Sequence, residues 1–176
     1  MLIYITGGAR SGKSRYAHEL AARLAKQVLF VATCTPADRE MRERVESHRA
    51  ARPEHWRTLE SPVDLVTAWR AVHRKTELVL VDCLTMYVSA RLMQGENESR
   101  IAARVEKFCK TAAGSPLTTI VVSNEVGSGV VPASELGRKF RDCAGRANQI
   151  VARYADTAYV MISGFPLALK GASLER

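Results

Sequence analysis

Residues 7–14, with the sequence GGARSGKS, contain the most chemically specific spacing in the chain. Gly7, Gly12, Lys13 and Ser14 fit the pattern G-x-x-x-x-G-K-[ST], between a short apolar run and an amphipathic stretch. In such a loop, glycines let backbone N–H groups turn toward phosphate, Lys13 reaches the outer phosphates and the Ser14 hydroxyl binds Mg²⁺. This phosphate loop therefore predicts a nucleoside triphosphate site. Kinases, motors, GTPases and recombinases all share it, so the loop alone does not identify the reaction.

Two acidic residues follow apolar runs that resemble buried strands. Asp82 ends the run in LVLVDCLT, and we expect it to provide a second contact to Mg²⁺. The alternative is that Asp82 caps the following helix, because aspartate is also favoured at that position. Glu125 follows the run TTIVVSN and is a weaker candidate for a contact to substrate or water. A simple loop carboxylate is an equally good interpretation of Glu125.

One of the four histidines lies on the apolar stripe of a predicted helix. Met41, Val45 and His48 fall at positions i, i+4 and i+7 of a helix that starts near Asp38. An imidazole on an inward face near a phosphate site can act as a nucleophile or as an acid and base. A core or helix-end histidine with a structural role is the commoner outcome, so both interpretations remain open.

Cations are dense in the segment after that histidine. Arg49, Arg52 and Arg57 surround His48 and His55, and such a density suits the charge of a triphosphate. A solvated basic turn is an equally good explanation.

The elements that must position these residues alternate between strands and helices. Strands are predicted at residues 2–6, 27–33, 78–85, 118–124 and 157–163, and helices at 13–25, 38–50, 63–73, 98–113 and 134–155. Continuous apolar runs predict strands that are covered on both faces. The alternation indicates an α/β fold with a mainly parallel central sheet and helices on both faces, a single P-loop domain of the recombinase-like type over residues 1–176.

Composition limits the class of protein. A chain of 176 residues that is 47% hydrophobic can bury one substantial core but not two. The four cysteines are scattered without metal-site spacing, so we expect buried, reduced thiols in the cytoplasm. The first apolar run is too short for a signal peptide or a membrane span. The net charge of +8 permits a nucleic-acid partner, but its mixed distribution favours solvated helix faces and phosphate sites.

Five segments together resemble one enzyme family over essentially the whole chain. These segments are ITGGARSGKSRYAHELA, VLFVATCTPADREMRERVESHRAARPEHWRTLE, VLVDCLT, VVSNEVGSGVVPASELGRKFRDCAGRANQ and VMISGFPLALK. They resemble the bifunctional adenosylcobinamide kinase / adenosylcobinamide-phosphate guanylyltransferase family of cobalamin biosynthesis. The resemblance implies phosphorylation of adenosylcobinamide by ATP or GTP, followed by transfer of GMP from GTP to adenosylcobinamide phosphate.

The resemblance also implies roles for individual residues. His48 corresponds to the histidine that carries GMP, and Lys13 is expected to be the second catalytic residue. The implied nucleotide contacts are Gly7, Gly8, Ala9, Arg10, Ser11, Gly12, Lys13, Ser14, Ala32, Thr33, Cys34, Arg49, Ala50, Ala51, Arg52, Glu60 and Asp82. Mg²⁺ bound with the nucleotide would contact Ser14 and Asp82, and the family implies a trimer without nucleic acid or membrane partners.

Two other functions remain open from the sequence. One is a monofunctional small-molecule kinase in which His48 is structural. The other is a nucleotide-dependent nucleic-acid-binding protein, which the positive charge suggests and which requires an affinity that falls steeply with salt.

Overall fold

The computed structural model of the chain describes residues 1–34, 39–50, 52–60, 64–171 and 174, and it leaves the side chains of helical residues 40, 41, 44, 47, 48, 68 and 70 undescribed. The strands are β1 (Leu2–Gly7), β2 (Val28–Ala32), β3 (Arg57–Glu60), β4 (Leu78–Asp82), β5 (Thr118–Val122), β6 (Thr157–Ile162) and β7 (Phe165–Lys170). The helices are α1 (Lys13–Leu24), α2 (Arg39–Ala50), α3 (Thr67–Arg70), α4 (Leu84–Met93), α5 (Glu98–Ala113) and α6 (Glu135–Tyr154).

All seven strands form one sheet in the order β3-β2-β4-β5-β1-β6-β7. Every neighbouring pair is parallel except β6 and β7, which pair antiparallel at one edge. The prediction of a mainly parallel sheet is therefore confirmed. Because parallel strands end at the same edge, the residues that follow β1, β2, β4 and β5 all lie at the carboxyl edge of the sheet, where α/β proteins bind ligands.

The five buried strands β1, β2, β4, β5 and β6 send side chains into two separate cores, one on each face of the sheet. Leu2 and Tyr4 of β1 belong to the core that α4, α5 and α6 cover, whereas Ile3 and Ile5 belong to the core that α1 covers. This alternation within a continuous apolar run is expected for a strand buried on both faces. It confirms helices on both sides of the sheet.

Several predicted boundaries are wrong. The strand predicted at 78–85 ends at Asp82, and the unpredicted helix α4 begins two residues later. Helix α4 is apolar on several sides because it is buried under α6, so its sequence lacks an amphipathic period. The helix predicted at 63–73 contains only the four residues of α3 among its described positions, and Val63 and Asp38 lie outside the described residues.

The edge strands β3 and β7 were not predicted. β3 has four residues, three of them exposed, and β7 is mostly exposed. Exposed strands carry no buried apolar run, which was the signal used for the other five.

The thiols differ in their burial. Cys109 and Cys143 are buried, whereas Cys34 and Cys83 are partly exposed near the carboxyl edge. The expectation of four buried thiols is therefore wrong for two of them. Within the described ranges, no helix has the length and apolar character needed to cross a membrane.

Candidate functional site

The phosphate loop joins the end of β1 to the start of α1, as its spacing predicts. Gly7 and Gly12 have φ values of 148° and 94°, and Gly12 is the N-cap residue of α1. A Cβ on Gly7 would lie 2.5 Å from the carbonyl oxygen of Met161 on the neighbouring strand β6. Glycine is required at both positions, at Gly7 because of this close approach and at Gly12 because of its left-handed backbone.

Lys13 is 7% exposed, and its ammonium group stays inside the loop. It donates hydrogen bonds to the carbonyl oxygen of Gly8 and, over 3.3 Å, to Oγ of Ser11. A buried ammonium group beside the N-terminus of α1 concentrates positive potential at one point of the carboxyl edge. Such a point attracts phosphate oxygens, the role that the sequence predicts for Lys13.

A second segment supports the phosphate loop, and sequence reasoning missed it. The backbone N–H of Gly164, in the turn between β6 and β7, donates to the carbonyl oxygen of Ser11 over 3.0 Å. A Cβ on Gly12 would approach Cα of Gly164 to 3.2 Å. The Ser163-Gly164 pair, with φ values of 52° and 90°, was a turn signal that could have indicated this contact.

Asp82 ends β4 at the same edge, although β5 lies between β4 and β1. The N-cap residue of α4 is Cys83 rather than Asp82, so the alternative of Asp82 as the helix cap is wrong. Thr33, which follows β2, connects to this strand end: its hydroxyl donates to the carbonyl oxygen of Cys83 over 2.6 Å and accepts from the N–H of Cys83 over 2.8 Å. Ala32 pairs with both Asp82 and Glu60 in the sheet register.

Arg52 is a cation near this part of the site. Its guanidinium carbon is 3.6 Å from the ring centroid of Phe30, a cation–π arrangement. Burial lowers the pKa of Arg52, and the nearby carboxylates of Asp82 and Glu60 oppose that shift. The residue is therefore a half-buried cation whose field reaches the end of β4.

The other cations of the basic segment are more exposed. Arg49 forms a 3.6 Å ion pair with Glu60, with both side chains more than half exposed. Arg57 is exposed and donates to the carbonyl oxygen of Ala71 over 3.4 Å. Exposed ion pairs add little stability, so Arg49 and Glu60 are free to exchange partners with a ligand. The structure thus brings Arg49, Arg52 and Glu60 to one edge, and Arg57 points to a different neighbour.

His48 lies within α2, two residues before its end, but its side chain is outside the described part of the structure, as is Ala51. On the stripe predicted to be apolar, Val45 is half-buried, whereas Arg42 and Glu46 elsewhere on the helix are exposed. His55 is exposed in the turn after the helix.

The segment after β5 contacts the phosphate loop through its backbone. The N–H of Glu125 donates to the carbonyl oxygen of Gly7 over 3.0 Å, and the exposed carboxylate of Glu125 accepts from the N–H of Gly127 over 2.7 Å. Gly127 is also part of an open cleft of about 360 Å³ whose other wall is α6. The cleft is lined by Glu98, Gly127, Arg141, Asp142, Gly145, Arg146 and Gln149.

The oxygen donors at the carboxyl edge suit a nucleotide-bound Mg²⁺. Ser14 offers a half-buried hydroxyl at the start of α1, and Asp82 offers a half-buried carboxylate. Mg²⁺ prefers hard oxygen ligands and is usually held by one or two protein groups together with phosphates and water. Among the described residues, no cluster of three or more His, Cys, Asp or Glu side chains could form a site made of protein ligands alone.

A structural comparison agrees with the fold. A KaiC-like protein from Pyrococcus horikoshii superposes with a TM-score of 0.55, covering 90% of this chain and 69% of that one, at 17% identity. At that identity the likeness concerns the α/β P-loop fold alone.

Sequence comparisons are more specific. The family model described as cobinamide kinase / cobinamide phosphate guanyltransferase matches residues 3–169. The bifunctional adenosylcobalamin biosynthesis protein CobP of Pseudomonas aeruginosa is 41% identical over 97% of this chain and 98% of its own length. The corresponding CobU proteins of Escherichia coli and Salmonella typhimurium are 40% and 38% identical over 97% of this chain and all of their own length. With a phosphate loop in the expected place and relatives that match it from end to end, the chain belongs to the family of enzymes with cobinamide kinase and cobinamide phosphate guanylyltransferase activities.

Proposed function

We propose that the chain phosphorylates adenosylcobinamide with ATP or GTP and then passes GMP from GTP, through a guanylylated His48, to adenosylcobinamide phosphate. One observation supports this most: the carboxyl edge of a single sheet brings together the phosphate loop, Asp82 and the half-buried Arg52. This edge offers cations for a triphosphate and oxygen donors for its metal ion.

In the kinase step, the phosphate loop holds the triphosphate for attack on the γ-phosphorus. The hydroxyl oxygen of the aminopropanol arm bonds to that phosphorus and releases its proton to solvent, and the bond to the bridging oxygen breaks. Lys13 and the N-terminus of α1 stabilise the charge that gathers on the leaving nucleotide. Ser14 and Asp82 would hold Mg²⁺, which supplies further neutralisation of phosphate charge when bound.

In the guanylyl transfer, a ring nitrogen of His48 attacks the α-phosphorus and pyrophosphate leaves. An oxygen of adenosylcobinamide phosphate then attacks the same phosphorus, and the imidazole leaves with a proton. Imidazole suits both steps, because it is nucleophilic when neutral and a good leaving group when protonated. Arg49 lies in the last turn of α2 and Arg52 lies two residues beyond its end, where both can neutralise the triphosphate during the attack.

The two reactions involve different phosphorus atoms, so the nucleotide must bind in more than one pose. The contacts that we propose for these poses are Gly7, Gly8, Ala9, Arg10, Ser11, Gly12, Lys13, Ser14, Ala32, Thr33, Cys34, Arg49, Ala50, Ala51, Arg52, Glu60 and Asp82. The unit that carries both reactions is a single domain over residues 1–176, acting in the cytoplasm.

The family resemblance implies a trimer, and the edge strand β7 supports association with further copies. Phe165, Leu167 and Leu169 are 75%, 57% and 61% exposed and, spaced two apart, lie on one face of the strand. Exposed apolar edge strands usually pair with or pack against another chain. We expect Leu167→Glu to give monomers in sedimentation velocity, whereas Val130→Glu, at an exposed apolar position outside β7, keeps the native assembly. Native assembly in both variants would reject β7 as the interface.

Labelled GTP tests the histidine intermediate. Incubation with GTP labelled at the α-phosphorus is expected to give protein-bound label that is lost in acid and stable in alkali. His48→Asn abolishes the label, whereas His55→Asn, a matched change at an exposed histidine in the adjoining turn, retains it. Label that persists in His48→Asn refutes the assignment. Kinase activity without any label in the wild type would support the monofunctional alternative.

A further inference from the structure

Four buried or half-buried polar residues close into a ring beside the cleft. They are Thr85 at the start of α4, Ser123 and Asn124 after β5, and Asn148 in the middle of α6. Oγ1 of Thr85 accepts from the N–H of Asn124 over 2.7 Å and lies 3.0 Å from Oγ of Ser123. Oγ of Ser123 donates to Oδ1 of Asn148 over 2.6 Å, and Nδ2 of Asn148 donates to the carbonyl oxygen of Asn124 over 3.0 Å.

The number of hydroxyl protons determines the direction in which the hydrogen bonds of this ring are donated. The only hydroxyl proton of Ser123 goes to Asn148, so the bond between Thr85 and Ser123 must use the proton of Thr85. Donation therefore runs from the N–H of Asn124 to Thr85, to Ser123, to Asn148 and back to the carbonyl oxygen of Asn124. Each hydroxyl both donates and accepts, an arrangement in which hydrogen bonds strengthen one another. Thr85, Ser123 and Asn148 are 3%, 0% and 7% exposed, so losing a partner would be costly.

The ring hydrogen-bonds both the N–H and the carbonyl oxygen of Asn124, which lies between the contact to the phosphate loop and the cleft. Asn124 is followed by Glu125, whose N–H binds the carbonyl oxygen of Gly7 at the start of the phosphate loop. Asn148 belongs to α6, which forms one wall of the cleft, and Gly127 lies on the opposite wall. The ring therefore fixes the distance between the loop wall and the α6 wall, and it fixes both with respect to the phosphate loop.

We propose that this ring positions the acceptor, with Asn148 and Thr85 as positioning residues: it sets the cleft in which the hydroxyl arm of cobinamide meets the bound nucleotide. The proposal rests on the proposed function in one respect: it takes this cleft as the place where cobinamide, the acceptor of the kinase reaction, binds. Five of the seven residues that line the cleft have charged or amide side chains, which can hydrogen-bond to the amide-rich periphery of a corrinoid. Small displacements of a reacting group, on the order of 1 Å, can lower a rate about 100-fold.

The test compares two substitutions at one position. Thr85→Val keeps the shape of the side chain but removes the ring's acceptor and donor, whereas Thr85→Ser keeps the hydroxyl. We expect Thr85→Val to lower kcat/KM for cobinamide in the kinase reaction by about 10- to 100-fold, with the Kd for ATP changing less than about threefold. Thr85→Ser is expected to stay within about threefold of the wild type in both, because its hydroxyl preserves the ring.

Ser123→Ala provides a second break in the ring in case Thr85→Val does not fold, and Ser115→Ala is the control. Oγ of Ser115 accepts from the N–H of Leu117 just before β5, so this substitution removes a similar hydrogen bond at the opposite end of the strand. Unchanged kcat/KM for cobinamide in a folded Thr85→Val or Ser123→Ala variant would overturn the proposal. A parallel loss of ATP affinity would also overturn it, because the ring would then act through general structure. The kinase assay does not involve His48, so its outcome is independent of the histidine intermediate.

Discussion

The hydroxyl of Thr33 offers a quantitative test of how the carboxyl edge is held together. It makes two hydrogen bonds to one residue, donating to the carbonyl oxygen of Cys83 over 2.6 Å and accepting from its N–H over 2.8 Å. Thr33 is 4% exposed, so water does not readily replace these bonds. The pair joins the end of β2 to the residue after Asp82, and the substitution Thr33→Val breaks both bonds while keeping the shape of the side chain.

The expected cost follows from the number of bonds. A typical buried hydrogen bond contributes about 0.5–1.5 kcal/mol, so two bonds give about 1–3 kcal/mol of the free energy of unfolding. Cys83 is partly exposed, so some water can reach its backbone, and we expect about 2 kcal/mol. With a urea m-value of about 2 kcal/mol/M, the unfolding midpoint should fall by about 1 M.

Equilibrium unfolding in urea is the assay, with two control variants. Thr33→Ser keeps the hydroxyl and is expected to lose less than about 1 kcal/mol. Thr111→Val removes an exposed hydrogen bond to the carbonyl oxygen of Lys107 and is expected to change stability by less than about 0.5 kcal/mol. If Thr33→Val is as stable as the wild type, or if Thr33→Ser is the less stable of the two, the reasoning is wrong.

Three further predictions concern other elements. Gly12→Ala is expected to weaken ATP binding at least about tenfold by equilibrium dialysis, because alanine is disfavoured at φ 94° and its Cβ would press on Gly164; unchanged affinity would contradict this. Asn97→Ala removes the N-cap bond to Arg100 and should cost α5 about 1 kcal/mol in urea unfolding, and no loss would contradict the cap. Burial raises the pKa of Cys109 from 9.0 to about 12, so the unfolded chain loses this proton first and stability falls as pH rises from about 9 toward 12. The free energy of unfolding in urea should fall less between about pH 8 and about pH 10 in Cys109→Val than in the wild type. An equal fall in both proteins would contradict this prediction.

The sequence predicted the parts of the fold whose patterns are local. Continuous apolar runs located the five strands that are covered on both faces, and the phosphate loop identified the start of α1. Helix α4 was missed because its burial under α6 removes the amphipathic period on which helix prediction depends. The exposed strands β3 and β7 were missed because tertiary pairing, rather than apolar content, makes them strands.

In the candidate site, too, local patterns predicted some residues, whereas long-range contacts were missed. Gly7, Lys13 and Asp82 were predicted from spacing and strand ends, and the structure places all three at the carboxyl edge. The Ser163-Gly164 pair indicates a turn, but its contact with the phosphate loop was missed because it joins segments about 150 residues apart. The ring through Asn148 has the same long-range character, and no local pattern indicates it.

Charge alone left open a nucleic-acid partner, and the family assignment gives a different reason for the positive charge. The net charge of +8 is accounted for by solvated helix faces and by cations near the phosphate site, such as Arg49 and Arg52. An enzyme of the cobinamide kinase and guanylyltransferase family handles several phosphate groups, so a basic chain is expected.

Identification of the residue that carries GMP is the decisive test of the histidine intermediate. The wild-type protein would be incubated with GTP, digested at alkaline pH to preserve a phosphoramidate, and examined by tandem mass spectrometry. We predict a GMP adduct on His48, which disappears when adenosylcobinamide phosphate is added. GMP on any other residue, or transfer of GMP to the corrinoid by protein that forms no adduct with GTP alone, would contradict this prediction.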